Sequence, residues 1–178
     1  MKRSIIIYGL IAGLIVTAWM IAGMFKLFGG DFIGGMLLTY STMLVAFSLI
    51  FVSVKSFRDK QNNGVITFGK AFRMGLMITL IASTIYVLVW MIDYYYFIPD
   101  FFKWYSAHEI ANMKAAGASA AEIQKVTVQV QGYAEVYKNP LYNAMYTYLE
   151  ILPVGLLVSV IAALILRRKP VQEKVAMG

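Results

Sequence analysis

Residues 32–54 read FIGGMLLTYSTMLVAFSLIFVSV, 23 positions without one charged side chain. A helix rises about 1.5 Å per residue and the hydrocarbon core of a bilayer is about 30 Å thick, so about 20 apolar residues cross it. The stretch is apolar on every face, whereas a strand of a membrane β-barrel alternates apolar and polar over about 10 residues. A helix also keeps its backbone hydrogen bonds internal, as hydrocarbon demands. The stretch therefore predicts a transmembrane helix, and three others follow the same logic. Ser4–Phe25 and Met74–Ile92 carry no charge, the latter running on past Asp93 through Tyr94, Tyr95, Tyr96 and Phe97, while Tyr142–Leu166 holds a single acid, Glu150. The spans are placed at about 4–28, 34–54, 72–97 and 142–166. Lys2 and Arg3 give the first one a basic start like that of a signal peptide. Its apolar core exceeds the 7–15 residues usual for a signal and no A-x-A-like site follows, so it reads as a retained helix.

Composition agrees. Of 178 residues, 60% are hydrophobic, 15% aromatic and 14% charged; soluble domains run at about 45–50% apolar and about 25% charged. A soluble globular enzyme and a disordered chain are excluded. The absence of Cys excludes disulfides, thiolate nucleophiles, Cys-ligated zinc and lipidation on Cys, and the single His excludes a multi-histidine metal site. No phosphate-binding loop, G-x-S-x-G, kinase set or dinucleotide fingerprint is present. The expectation is a protein without cofactor or metal, and not an enzyme.

The charges assign an orientation. Eleven of the 16 Lys and Arg fall at the N-terminus (Lys2, Arg3), between the second and third spans (Lys55, Arg58, Lys60, Lys70, Arg73) and after the fourth (Arg167, Arg168, Lys169, Lys174). Lys26, Lys103, Lys114, Lys125 and Lys138 lie on the other side, four of them balanced by Asp100, Glu109, Glu122 and Glu135. The positive-inside rule puts both termini in the cytoplasm and the segment 98–140 outside. The net charge of +7 thus reads as membrane orientation and attraction to anionic headgroups rather than nucleic-acid binding. Tyr94–Phe97 and Tyr142, Tyr146 and Tyr148 fall at the outer interface, where amphipathic rings prefer to sit.

The outer segment predicts two helices. Asp100 is the expected cap of the first, which carries Phe101, Phe102, Trp104 and Tyr105 early and ends at Gly117. Ser119-Ala-Ala-Glu122 is a capping-box pattern that starts the second. Ile123, Val126, Val130, Tyr133 and Tyr137 recur at three- and four-residue steps, giving one apolar stripe; Val126–Gln131 also alternates like a strand. Asn139-Pro140 stops the helix. The stripe packs on the neighbouring helix and the membrane surface, or it docks another protein. Phe101, Phe102 and Trp104 read as membrane-surface anchors.

Few residues suggest chemistry. His108-Glu109-x-x-Asn112 resembles half of a zinc motif, but zinc catalysis generally needs three protein ligands, so a polar helix surface is expected. Gly9-x-x-x-Gly13 lets a neighbouring helix approach closely, by default one of the same chain, with homodimerisation as the alternative. Thr39, Ser41, Thr42, Ser48 and Ser53 are expected to bond backbone carbonyls or neighbouring helices. Asn62-Asn63-Gly64 marks a turn, and Thr67–Arg73 leads into the third helix. Glu150 lies near the outer edge of the hydrocarbon, with Asp93 at the matching end of the third span and Pro153 positioned to kink the fourth. Intramembrane acids are proton- or cation-site suspects. The expectation is that Glu150 and Asp93 face a common polar pocket; snorkelling, or a hydrogen bond to a nearby Tyr, is the other role open to Glu150.

Several stretches in order carry a family resemblance: Tyr8-Gly9-Leu-Ile-Ala-Gly13; Lys55-Ser-Phe-Arg58-Asp59; Gly64-x-Ile66-Thr67-Phe68-Gly69-Lys70-Ala71-Phe72-x-x-Gly75; Tyr86-x-x-x-Trp90; Ser119-Ala-Ala-Glu122; Tyr137-Lys-Asn-Pro140; Glu150-x-x-Pro153-Val-Gly155; and Ser159 through Arg167-Arg168-Lys169. Across nearly the whole chain this resembles the domain of unknown function 4199 family of bacterial four-helix membrane proteins. The resemblance implies a bacterial inner membrane and supplies no catalytic residues.

The expected fold is all-α, one domain over 1–178: a four-helix membrane bundle, N-in and C-in, with a helical extracytoplasmic insertion between helices 3 and 4. Gly9, Gly13, Pro153 and Gly155 are its expected helix-packing positions. The expected role is a non-enzymatic accessory or scaffold subunit acting through protein partners. A small homo-oligomeric transporter or channel using Glu150, and a membrane enzyme using the outer acids and tyrosines, are the alternatives.

Overall fold

The structure, a computed structural model, describes residues 1–24 and 32–168. Among these the regular structure is helical: α1 (Lys2–Met24), α2 (Phe32–Gln61), α3 (Phe68–Ile92) with a π-helical turn at Asp93–Phe97, α4 (Phe101–Ala115), α5 (Ala120–Tyr137) and α6 (Pro140–Leu166). Four of them, α1, α2, α3 and α6, are long and apolar enough to cross a membrane. Their outward positions are apolar too, Leu14, Leu37, Val45, Leu149 and Ile165 among them. Lys26 and the end of the first expected span at 25–28, together with Lys169 and Lys174, lie outside the described residues.

The four long helices close a ring in the order α1, α2, α6, α3. Consecutive α2 and α3 lie across the diagonal and touch only lightly. Small residues set the seams. On α3 and α6, Gly75 lies against Ser159, and Gly155 against Thr79 and Phe47. Thr79 Oγ1 and Ser159 Oγ stand 3.3 Å apart, and Ser159 also donates to the Gly155 carbonyl at 2.7 Å. A Cβ on Gly9 would come within 2.8 Å of Ile81 Cβ, and one on Gly13 within 2.7 Å of Ile85 Cδ1, so the glycine face of α1 is filled by α3. Without a hydrophobic drive between helices in lipid, such close approach is what holds a bundle together. Met43, Phe47, Ile50, Met74, Ile78 and Ile151 fill the interior, all buried.

At one end, three parts of the chain meet. The N-terminal amino group donates to Gln61 Oε1 at 3.0 Å, and Ile66 exchanges backbone hydrogen bonds with Arg168 at 3.1 and 2.8 Å. The turn before Ile66 uses left-handed Asn63 and Gly64, at φ of 51° and 77°. Thr67 caps α3, accepting from the Lys70 N–H. Both ends of the described chain thus lie at the same end of the bundle.

At the other end the capping box of α5 is formed, with Ser119 and Glu122 each satisfying the other's backbone N–H. Asp100 is the N-cap of α4, but its side chain makes no cap hydrogen bond and pairs with Lys103 at 2.6 Å. Asn139 accepts from Leu141 N–H at 2.9 Å, so Asn139-Pro140 opens α6 as well as closing α5. Ser41, Thr42 and Ser48 donate to backbone carbonyls of their own helix, whereas Ser53 Oγ is buried without a partner.

Candidate functional site

The hairpin end of the bundle is built on Asn143. It lies one turn into α6, where its N–H bonds the Asn139 carbonyl, and it is fully buried. A buried amide needs its donors and acceptor met. Trp90 Nε1 donates to Asn143 Oδ1 at 3.0 Å, and Asn143 Nδ2 reaches the Tyr95 hydroxyl at 3.5 Å. Tyr95 donates onward to the Tyr137 carbonyl at 2.8 Å, and Thr147 donates to the Asn143 carbonyl at 2.8 Å. A chain of hydrogen bonds therefore ties α3, the π turn, α6 and the last turn of α5.

An aromatic cluster covers it. Phe101 packs edge-on against Trp90 at 5.3 Å, and Phe102 against Tyr137 at 5.1 Å. Tyr94 sits among Tyr95, Phe102 and Tyr137. Edge-to-face pairs of this kind are worth about 0.5–1.5 kcal/mol each beyond their buried area. Phe101 and Phe102 thus turn into the protein, while Trp104 stays exposed and stacks on His108 at 5.5 Å. The stripe on α5 faces α4 and the bundle at Val130 and Tyr137, but leaves Tyr133 exposed.

Glu150 lies on the same face of α6 as Asn143 and Thr147, at i+7 and i+3 from them, and is half-buried. The Tyr137 phenol is pushed up to about 12, first by burial and then by Glu150. No hydrogen bond or ion pair joins Glu150 to Asp93. Asp93 instead closes the π turn, its carbonyl accepting from Ile98 N–H at 2.8 Å, with Oδ2 buried and unpartnered. α6 continues through Pro153, whose missing N–H leaves the Leu149 carbonyl without its usual partner.

The sequence places Tyr95 only at an interface and Trp90 only in a family pattern, and it singles out neither Asn143 nor Thr147. Their signal was present as polar residues at positions 143, 147 and 150, spaced along one face of an apolar helix. The arrangement clamps the α4–α5 hairpin to the bundle and sets one carboxylate among phenols. The family model described as "Protein of unknown function (DUF4199)" matches residues 7–168. No curated protein and no solved structure matches the chain.

Proposed function

The chain belongs to the DUF4199 family, and we propose that it is a non-enzymatic subunit of the bacterial inner membrane that works by presenting its outer hairpin to a protein partner. In this reading both termini are cytoplasmic and α4 and α5 stand outside, as the distribution of Lys and Arg favours. The observation that carries the reading is a contrast within the hairpin. Its base is clamped by the Trp90–Asn143–Tyr95–Tyr137 chain, yet α4 has no buried residue and α5 only Val130. Trp104, Val128 and Tyr133 remain 48%, 55% and 41% exposed. A rigidly held surface with uncovered aromatic and aliphatic side chains suits recognition of a partner. A photo-crosslinking residue at Val128 tests it in native membranes. One protein of defined mass should be captured there and not from Leu14 on the outward side of α1; equal or no capture at the two positions contradicts the reading.

A second reading, a homo-oligomeric transporter, is favoured by Glu150, which has no cationic partner among the described residues. The filled interior of the bundle means any pathway would run between copies. Cation flux into liposomes that Glu150→Gln abolishes would support it.

A further inference from the structure

At the end opposite the hairpin, a groove of about 530 Å³ opens between α1, α2 and the end of α6. Tyr8, Phe51 and Val52 form its apolar wall, and Lys55, Asp59 and Lys60 its polar rim. The uncharged run of α2 ends at Val54 and charge begins at Lys55. The groove therefore straddles the level where hydrocarbon gives way to headgroups.

Two features of the groove would repel an anion: the Asp59 carboxylate and the negative end of the α6 macrodipole at Leu166. Arg58 answers both. Its guanidinium grips Asp59 in two hydrogen bonds, at 2.6 and 3.1 Å, and donates to the Leu166 carbonyl at 3.2 Å. Arg168 is near enough to act on Asp59 as well. The groove's rim thus sets Lys55 and Lys60 against one carboxylate, which Arg58 and Arg168 beside the groove already offset. Lys55 and Lys60 are both exposed, and neither makes an ion pair among the described residues.

We infer that this groove holds an anionic phospholipid, its phosphate between Lys55 and Lys60 and an acyl chain along Phe51 and Val52. The apolar wall favours a lipid over free phosphate, because phosphate has no use for a hydrocarbon surface. The inference depends on the basic end lying at a headgroup layer and is independent of what the hairpin binds.

Native mass spectrometry of the full-length protein in micelles tests it, with phosphatidylglycerol and phosphatidylcholine of identical chains as probes. The wild type should retain one phosphatidylglycerol roughly tenfold more tightly than phosphatidylcholine. The double variant Lys55→Gln/Lys60→Gln should lose that preference, while Lys114→Gln/Lys125→Gln on the hairpin, an equal change of charge, should keep it. Val52→Trp should weaken both lipids by filling the wall. Equal binding of the two lipids, or an unchanged preference in the groove variant, overturns the inference. Displacement of the lipid by excess inorganic phosphate, irrespective of chain length, overturns the assignment to a lipid.

Discussion

Arg58 and Leu166, 108 positions apart, meet through a hydrogen bond of 3.2 Å from the guanidinium to the last carbonyl of α6. The last carbonyls of a helix have no partner within it and carry the negative end of its dipole. A buried guanidinium satisfies both needs. With the Ile66–Arg168 pairing beside it, the contact ties the turn between α2 and α3 to the chain leaving α6.

Arg58→Met should therefore destabilise the protein by about 2 kcal/mol, the usual loss for a hydrogen bond to a charged group. Thermal unfolding in detergent checks this. Asp59→Asn, which leaves the Leu166 contact in place, should have the smaller effect.

The glycines make a paired prediction. A Cβ at Gly155 would press into Thr79 and Phe47, whereas one at Gly132 meets nothing within 4 Å. Gly155→Ala should cost about 1–3 kcal/mol by overpacking the α3–α6 seam. Gly132→Ala, in mid-helix with open space, should stabilise α5 by about 0.5–1 kcal/mol. Unfolding midpoints of the two variants should move in opposite directions.

The capping box predicts a pH response in the first turn of α5. Hydrogen bonds from Ser119 hold the Glu122 carboxyl below the usual carboxylate range. Its contribution is complete above the unfolded value of about 4.3 and is lost as pH falls through the lower folded value. Hydrogen exchange at residues 120–124, corrected for intrinsic rate, should show protection dropping below that point. Ser119→Ala should remove about 1 kcal/mol of local stability at neutral pH.

Tyr137 responds at the opposite extreme. Because burial and Glu150 raise its phenol to about 12, the stability it contributes is complete below the unfolded value of about 10 and declines as pH rises from there through 12. An ultraviolet difference titration between wild type and Tyr137→Phe isolates this one phenol. Glu150→Gln should bring its transition to lower pH; no movement would separate Glu150 from Tyr137.

How much of this was legible in the sequence follows from the forces involved. The four long helices were, because length and hydrophobicity alone decide whether a segment suits a bilayer. So was the α5 capping box, since Ser119 and Glu122 are local partners. The ring order was not: helices that are apolar on every face do not announce their neighbours. The order is read only when Gly75, Thr79, Gly155 and Ser159 are seen to complement one another across 80 positions. Asp100 holds the expected N-cap position of α4, but its side chain pairs with Lys103 rather than with the helix backbone. The ring partners of Phe101 and Phe102, namely Trp90, Tyr94 and Tyr137, come from other elements, so their packing is not local information. Asp93 and Glu150 share an end of the bundle with no hydrogen bond between them, which depth along each helix could not reveal.

The clamped hairpin, in the proposed function, serves a partner. The most direct measurement is the mass and composition of the particle extracted from native membranes in mild detergent. The account predicts a second protein in fixed stoichiometry, released by Val128→Asp in α5 while the bundle stays folded. A particle containing this chain alone, whether monomer or homo-oligomer, would contradict it.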